Sequence, residues 1–565
     1  MKKCMKNTAI AASLVMAGTL LFAQNAQNAR AAQGADDENI EEISLPDVST
    51  VVSGGAPKVG KSAVPDYSEV LPESNKSGTV LPRLPDSTEA SSAGVEAVSG
   101  TSSGTAKNIY AEGIAGAGYP GFVTGNFSLY RQSGTNPFRI QFSHETANGY
   151  AGNSLTSGYF DRTTFIYADK TFSNDKMKLF LKGRYENSDN GLQNKVTSIS
   201  DVSKDKIEAE IDWGVQFTKE AGMHLALGGD WYKRYATITD STLAVADFAE
   251  NVSVLDLEPH LSFLWKSEKN LYLGFSAKYD LEHDIKDAFF DTRSINRGEF
   301  GVQLGWNNQS VRVYGDAAAV VGNEIGDNYV VVPFTAGADF SINTALSSRT
   351  VGISLKGGID SYLPKVEMLE RRWTFSALHV LPSETSDWFG VLDIAVPVKD
   401  VLTLGMNTEF RTTAYDNGTW QPDYDIDDSA VLFGQYNYLQ DDMTQFNTEF
   451  TVGLRYKIAY FNFGWKNHWK DVPAAESGNS VSLGVSVQDE KAKFGFDGSM
   501  EFALASGDDH TPQVDLSVFW RLTNAVRLAV STNDVVKLIS GTERDYAGQY
   551  IQRSGTASVL VKFFF

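Results

Sequence analysis

The chain ends on Ala557-Ser558-Val559-Leu560-Val561-Lys562-Phe563-Phe564-Phe565, and the reading of that stretch decides the fold. Side chains of an extended strand point alternately to its two faces. Counted back from the carboxyl terminus, Phe565, Phe563, Val561, Val559 and Ala557 share one face. A terminal strand with an aromatic face leaves an unpaired edge, which is a liability unless something covers it. Pairing the last strand with the first removes the edge altogether. The alternative is a soluble antiparallel domain that ends on a strand, and the body of the sequence has to decide between them.

The body alternates. Ile207, Ala209, Ile211, Trp213, Val215 and Phe217 interleave with Glu208, Glu210, Asp212, Gly214 and Gln216. Phe446, Thr448, Phe450, Val452, Leu454, Tyr456 and Ile458 interleave in the same way with Asn447, Glu449, Thr451, Gly453, Arg455 and Lys457. Leu271 to Asp280, Leu402 to Arg411, Phe461 to His468 and Val514 to Leu522 repeat the pattern. A sandwich in water alternates too, so loop lengths are more discriminating. Short links at Ser173 to Lys176, Thr218 to Gly222, Lys266 to Asn270, Asn307 to Ser310 and Val398 to Asp400 take turns with long ones. The long ones include Thr146 to Phe160, Asn187 to Ser203, Arg234 to Asn251, Pro364 to Trp388, Tyr415 to Thr444 and Ser540 to Gln552. Tight turns at one end and extended loops at the other predict an all-β fold, a transmembrane antiparallel β-barrel of about 22 strands, within about 20 to 24. Tyr185, Trp231, Tyr279, Trp465, Trp469 and Trp520 fall near strand ends, where they serve either as interfacial girdles or as ordinary cross-strand packing.

Upstream the composition changes. Lys2, Lys3 and Lys6 precede the apolar run Ala9 to Ala23, and Ala29 and Ala31 offer a small-residue cleavage site, so residues 1–32 read as a signal peptide. Residues 33–108 are rich in Ser, Gly, Pro and Ala without apolar periodicity, and are expected to form a disordered periplasmic tail before a barrel over 109–565. Leu45-Pro46-Asp47-Val48, Val64-Pro65-Asp66-Tyr67 and Leu84-Pro85-Asp86 recur in it, short apolar anchors that suit either a periplasmic partner or a plain solvated tether. Net charge is −21, which argues against nucleic acid as a partner. The single cysteine, Cys4, allows no disulfide framework.

Catalytic and cofactor signatures are not found. The seven histidines are dispersed, with no metal-ligand spacing. Gly55-Ala56-Pro57-Lys58-Val59-Gly60-Lys61-Ser62 fits phosphate-loop spacing, but Pro65 prevents the helix that would hold the phosphate. Asp423-Tyr424-Asp425-Ile426-Asp427-Asp428 starts like a calcium loop, yet Asp428 replaces the turn glycine. No catalytic residue, cofactor or metal site is expected, and the chain is not expected to be an enzyme. The charged faces are more informative. Lys178, Lys182, Arg184, Glu208, Glu210, Asp212, Glu449, Arg455, Lys457, Lys466, Arg521 and Lys562 are expected to face a lumen. A Lys or Arg facing lipid near the midplane costs about 2 to 4 kcal/mol. Trp420, Asp423, Asp425 and Asp427 are expected in an outer loop, making first contact with a solute.

The terminal pattern Val559, Val561, Phe563, Phe565 resembles the signal by which bacterial outer-membrane barrels are handed to their insertion machinery. With the strand count, the long loops, Tyr110-Ala111-Glu112-Gly113, Gly121 to Leu129, Ser143-His144-Glu145 and Gly158-Tyr159-Phe160-Asp161, the body is similar to the TonB-dependent receptor barrels. The resemblance implies a bacterial outer-membrane location with both termini periplasmic, contact with outer-membrane lipid, and uptake of a small solute. That family carries a folded plug before its barrel, and residues 33–108 are too short and polar to form one. Inward loops, bulky lumen side chains or the tail are therefore expected to narrow the lumen. A structural or interaction barrel, an adhesin or scaffold whose tail binds a periplasmic partner, is the alternative.

Overall fold

The last strand, Thr556–Phe564, pairs antiparallel with the first, Tyr110–Tyr119, setting Glu112 opposite Phe564 and Tyr119 opposite Ala557. This closes the sheet, so no edge is left. The computed structural model describes residues 109–564 except 132–135, 151, 175, 197–198, 240–251, 286–293, 309, 324–327, 344–349, 400, 425–434, 475, 490–492, 506–509 and 546–549. The expected signal peptide and tail, with Asp425, Asp427 and Phe565, lie outside the described residues. Within them the chain is a closed antiparallel barrel of 22 strands, the number the alternation predicts.

Period-two patterning sets both surfaces. Ile207, Ile211, Trp213, Phe300, Val302, Leu304, Val559 and Phe563 stand exposed on the outward face. The intervening positions carry charge and pair with each other across strands. A soluble sandwich would bury those apolar rows between two sheets. Here they are the outer wall, which is the arrangement lipid requires.

Strands Ile199–Gln216 and Ala221–Ile238 are each 18 residues long. A tilted strand crosses a bilayer in about 9 to 11 residues. The expected loop from Asn187 to Ser203 is accordingly mostly strand, since Met177–Gly191 and Ile199–Gln216 pair far into it. The apolar alternation stops there because both faces leave the lipid, while backbone pairing continues. Polar cross-strand contacts replace apolar ones, such as Asn187 Nδ2 donating to Asp205 at 2.9 Å and Tyr185 Oη donating to the same carboxylate at 3.2 Å.

Two inward tyrosines lie flat over cross-strand glycines. Tyr272 is paired with Gly305 and Tyr314 with Gly337. A Cβ on Gly305 would sit 2.3 Å from the Tyr272 ring, and one on Gly337 would sit 2.4 Å from that of Tyr314. Each glycine is the space into which a ring folds along the wall.

Candidate functional site

Residues 363–384, joining strands Val351–Tyr362 and Thr385–Val398, hold the helix α1 (Val366–Arg372) and turn into the barrel. Val366, Leu369 and Trp373 recur at helical spacing and pack with Leu378 and Leu381 against Tyr232, Val252, Val254 and Ile295 of the wall. A segment that touches this many inward-facing wall positions can do so only from within the ring.

Two fully buried carboxylates fix it. Glu370 accepts hydrogen bonds from Tyr232 Oη at 2.7 Å and the Leu378 amide at 2.8 Å, and it pairs with the Arg234 guanidinium. Glu384 accepts from Arg297 Nε at 3.0 Å and Tyr329 Oη at 2.9 Å, while Arg297 also reaches Glu299 at 2.7 Å and Asp280 at 3.2 Å. The first turn of α1 is held too. The Val366 amide donates to Glu282 at 2.8 Å, Lys365 reaches Asp256 at 3.1 Å and Asp230 at 3.8 Å, and Lys206 pairs with Glu367. At its far end Arg371 pairs with Glu186. Buried ion pairs add little net stability relative to an apolar core, but they fix geometry, and removing one partner is expensive.

The electrostatics of the segment follow from this crowding. Burial would lower the Lys365 ammonium, yet Asp256, Glu258 and Asp230 around it hold it well above its ordinary value. Burial would raise the Glu367 carboxyl, yet Lys206 and Arg371 hold it below. Burial, with the Arg234 charge nearby, lowers His379 to about 4.

Two further connections complete the body. Trp420 and Tyr438, from the connection between strands Leu402–Thr413 and Thr444–Tyr456, join the core around α1. Tyr550, shortly before the last strand, stacks on Phe375 with centroids 3.8 Å apart, and Tyr436 meets Tyr550 edge-on. Leu192, Ile199 and Val202 pack beside this stack.

The expected lumen residues fall into two groups. Lys182, Arg184, Glu208 and Glu210 share one network, with Lys182 3.2 Å from Glu210 and Lys206 linking Glu208 to Asp230 and the helix. Asp212 pairs with His224. Lys466 lies opposite Glu449 and bonds to Glu476 at 2.9 Å, and Lys562 reaches Glu112 at 3.3 Å. Lys178 and Arg455 lie on inward rows but are exposed at the tight-turn rim, and Lys457 occupies the turn itself at φ +53°. A strand-phase count carried one residue past the strand end does not hold in a turn. Arg521 sits opposite Arg527 near the same rim.

Trp420 requires a correction. Only 8% exposed, it donates from Nε1 to the Ser383 carbonyl at 3.1 Å and is part of the core, so it offers no first-contact surface to a solute. Asp423 donates its amide to the Asn437 carbonyl. Val559 and Phe563 are exposed on the outward face of the closing strand, and Val561 lies between them on the same face. Glu370, Glu384 and Arg297 went unremarked in the sequence. The helical recurrence of Val366, Leu369 and Trp373 within a long connection was the signal that could have exposed the inward segment. Among the described residues no group of three or more His, Cys, Asp or Glu is arranged to hold a metal ion.

No protein-family model matches the sequence, and no curated protein matches it either. Solved structures do match in shape. The FrpB iron transporter from Neisseria meningitidis (F5-1 variant) superposes with a TM-score of 0.59 at 8% identity, over 82% of this chain and 83% of that one. The copper transporter OprC gives 0.58 at 9% identity, over 81% and 80%. A mutant of the ferric enterobactin receptor PfeA from Pseudomonas aeruginosa gives 0.57 at 9% identity, over 81% and 80%. At these identities the likeness is one of fold, the 22-strand barrel of TonB-dependent receptors.

Proposed function

We propose that the chain is a receptor-like outer-membrane transport barrel that admits a small solute through its lumen, with the segment 363–384 as its constriction. The observation that carries this reading is a segment inside the ring held by charged contacts rather than by an apolar core alone. Charged and hydrogen-bonding groups of this kind are what a polar solute entering the ring can engage, whereas a purely apolar constriction offers it none. The fold shared with an iron transporter, a copper transporter and a ferric enterobactin receptor supports the reading, and the cargo here is proposed only as a small solute. In this reading the tight turns and both ends of the barrel face the periplasm, residues 33–108 precede it there, and the charged inward rows line the solute path.

The test is planar-bilayer recording of the purified protein beside a variant lacking residues 366–378. Large conductance steps are expected in the deletion and far smaller ones in the wild type. Equal conductance in a folded deletion variant would remove the segment from the path. An epitope inserted within 239–251 is expected to be accessible on intact cells, and protection there would reverse the orientation.

The aromatic stack of Phe375, Tyr436 and Tyr550 favours a second reading, a closed interaction barrel whose residues 33–108 bind a periplasmic partner. Deleting residues 33–108 separates the two: transport survives the deletion, whereas co-purification of a partner does not.

A further inference from the structure

The outward wall toward the tight turns is apolar with one interruption. Among the described residues, Arg131 and Lys170 are the only strand-borne lysine or arginine on the outward face in that half of the barrel. They fall in one cross-strand row, Arg131 opposite Phe138 and Phe138 opposite Lys170. The Arg131 guanidinium lies over the Phe138 ring at 5.8 Å, and the Lys170 ammonium lies 5.4 Å from Phe138 and 5.3 Å from Phe172. Lys170 also donates to the Asn136 carbonyl at 3.5 Å, while Arg131 Nε is buried and has no hydrogen-bond partner among the described residues. No described aspartate or glutamate shares this part of the outward face. The depth is marked independently. Phe172, Leu179 and Trp213 form the next row toward the turns, and Trp265, Trp306 and Trp520 are exposed near their strand ends on the same rim. Exposed tryptophans collect at headgroup level, and long basic side chains reach toward it.

We infer that Arg131 and Lys170, collared by Phe138 and Phe172, form a binding site for the phosphate of an anionic phospholipid headgroup. The inference rests on the membrane reading of the outward face. Two cations on either side of the Phe138 ring, with no carboxylate beside them among the described residues, attract a phosphodiester, and the rings position the lipid's glycerol and upper acyl chains. A soluble anion gains nothing from the rings, so the ligand is a lipid rather than free phosphate.

The full chain in detergent is titrated with short-chain phosphatidylglycerol, short-chain phosphatidylcholine and inorganic phosphate, with bound lipid read by native mass spectrometry. Phosphatidylglycerol is expected to bind about tenfold or more tightly than phosphatidylcholine. The preference is expected to disappear in the double variant Arg131→Gln, Lys170→Gln and to persist in Lys233→Gln, an outward lysine at the opposite end. A wild type without preference, a double variant that keeps it, or inorganic phosphate binding as tightly as the lipid would each overturn the site. Flotation with phosphatidylcholine vesicles reports on the membrane reading separately. Loss of preference with flotation intact counts against the site alone, and failure to float overturns both.

Discussion

Glu370 shows how much rests on single buried charges. Its side chain is fully buried against Arg234, Tyr232 and the Leu378 amide, so Glu370→Ala removes the buried carboxylate that pairs with the guanidinium. A loss of about 3 to 5 kcal/mol is expected from breaking such a pair, with a smaller loss for Glu370→Gln, read from unfolding midpoints in detergent. If Ala and Gln cost the same small amount, the carboxylate is not the anchor described here. The tyrosine and glycine pairs make a second residue-level test. Gly305→Ala forces the Tyr272 ring from its place and is expected to cost about 1 to 3 kcal/mol. Combined with Tyr272→Ala the penalty shrinks, and the coupling in a double-mutant cycle measures the contact. Simple addition of the two costs would mean that the ring does not occupy the glycine's space.

Among the elements, the inward segment has the clearest dependence on pH. Glu367 is held below its ordinary range, so its contribution is present above the unfolded value and is lost as pH falls through the folded one. His379 is lowered to about 4, so its neutral form favours the docked segment, and that preference fades as pH drops from the ordinary histidine range toward that value. Both act in one direction, and acidification is expected to loosen the segment and raise conductance in the wild type. Deletion of residues 366–378 abolishes that rise, and a wild type whose conductance is flat down to about pH 4 would exclude the segment as the acid-sensitive part. Legibility in the sequence divides along the same line. The strands at Leu402–Thr413, Ala459–Lys470 and Gln513–Thr523 were readable because one face meets apolar surroundings throughout and period two persists. The long-loop ends of Met177–Gly191 and Ile199–Gln216 were not, since polar groups line both faces there and pairing leaves no apolar signature. The partners of α1 were illegible for another reason: Glu370 and Arg234 are joined by ring closure, and nothing local relates two residues 136 positions apart.

For the molecule as a whole, the outward face either meets lipid or it does not, and neighbouring residues on one strand can decide. Val302 points outward and Gln303 inward on strand Ser294–Asn307. Val302→Arg is expected to cost about 2 to 4 kcal/mol near the bilayer midplane, and Gln303→Arg far less, measured as the folded fraction in vesicles. Equal costs would mean the same medium on both sides of the wall. Closure has one more outcome. Because Glu112 lies opposite Phe564, the chain that enters the ring and the chain that leaves it are next-door neighbours, and the circle favours no particular starting point. A gene rearranged so that residues 1–32 lead directly into Ile458 and the chain finishes at Lys457, with the old ends spliced through a short Gly-Ser bridge in place of residues 33–108, should still assemble the same cylinder. Its final residues would then present a different strand to the insertion apparatus, so a permutant that refolds in detergent yet fails to reach the membrane in cells would separate what the terminal phenylalanines do for architecture from what they do for delivery.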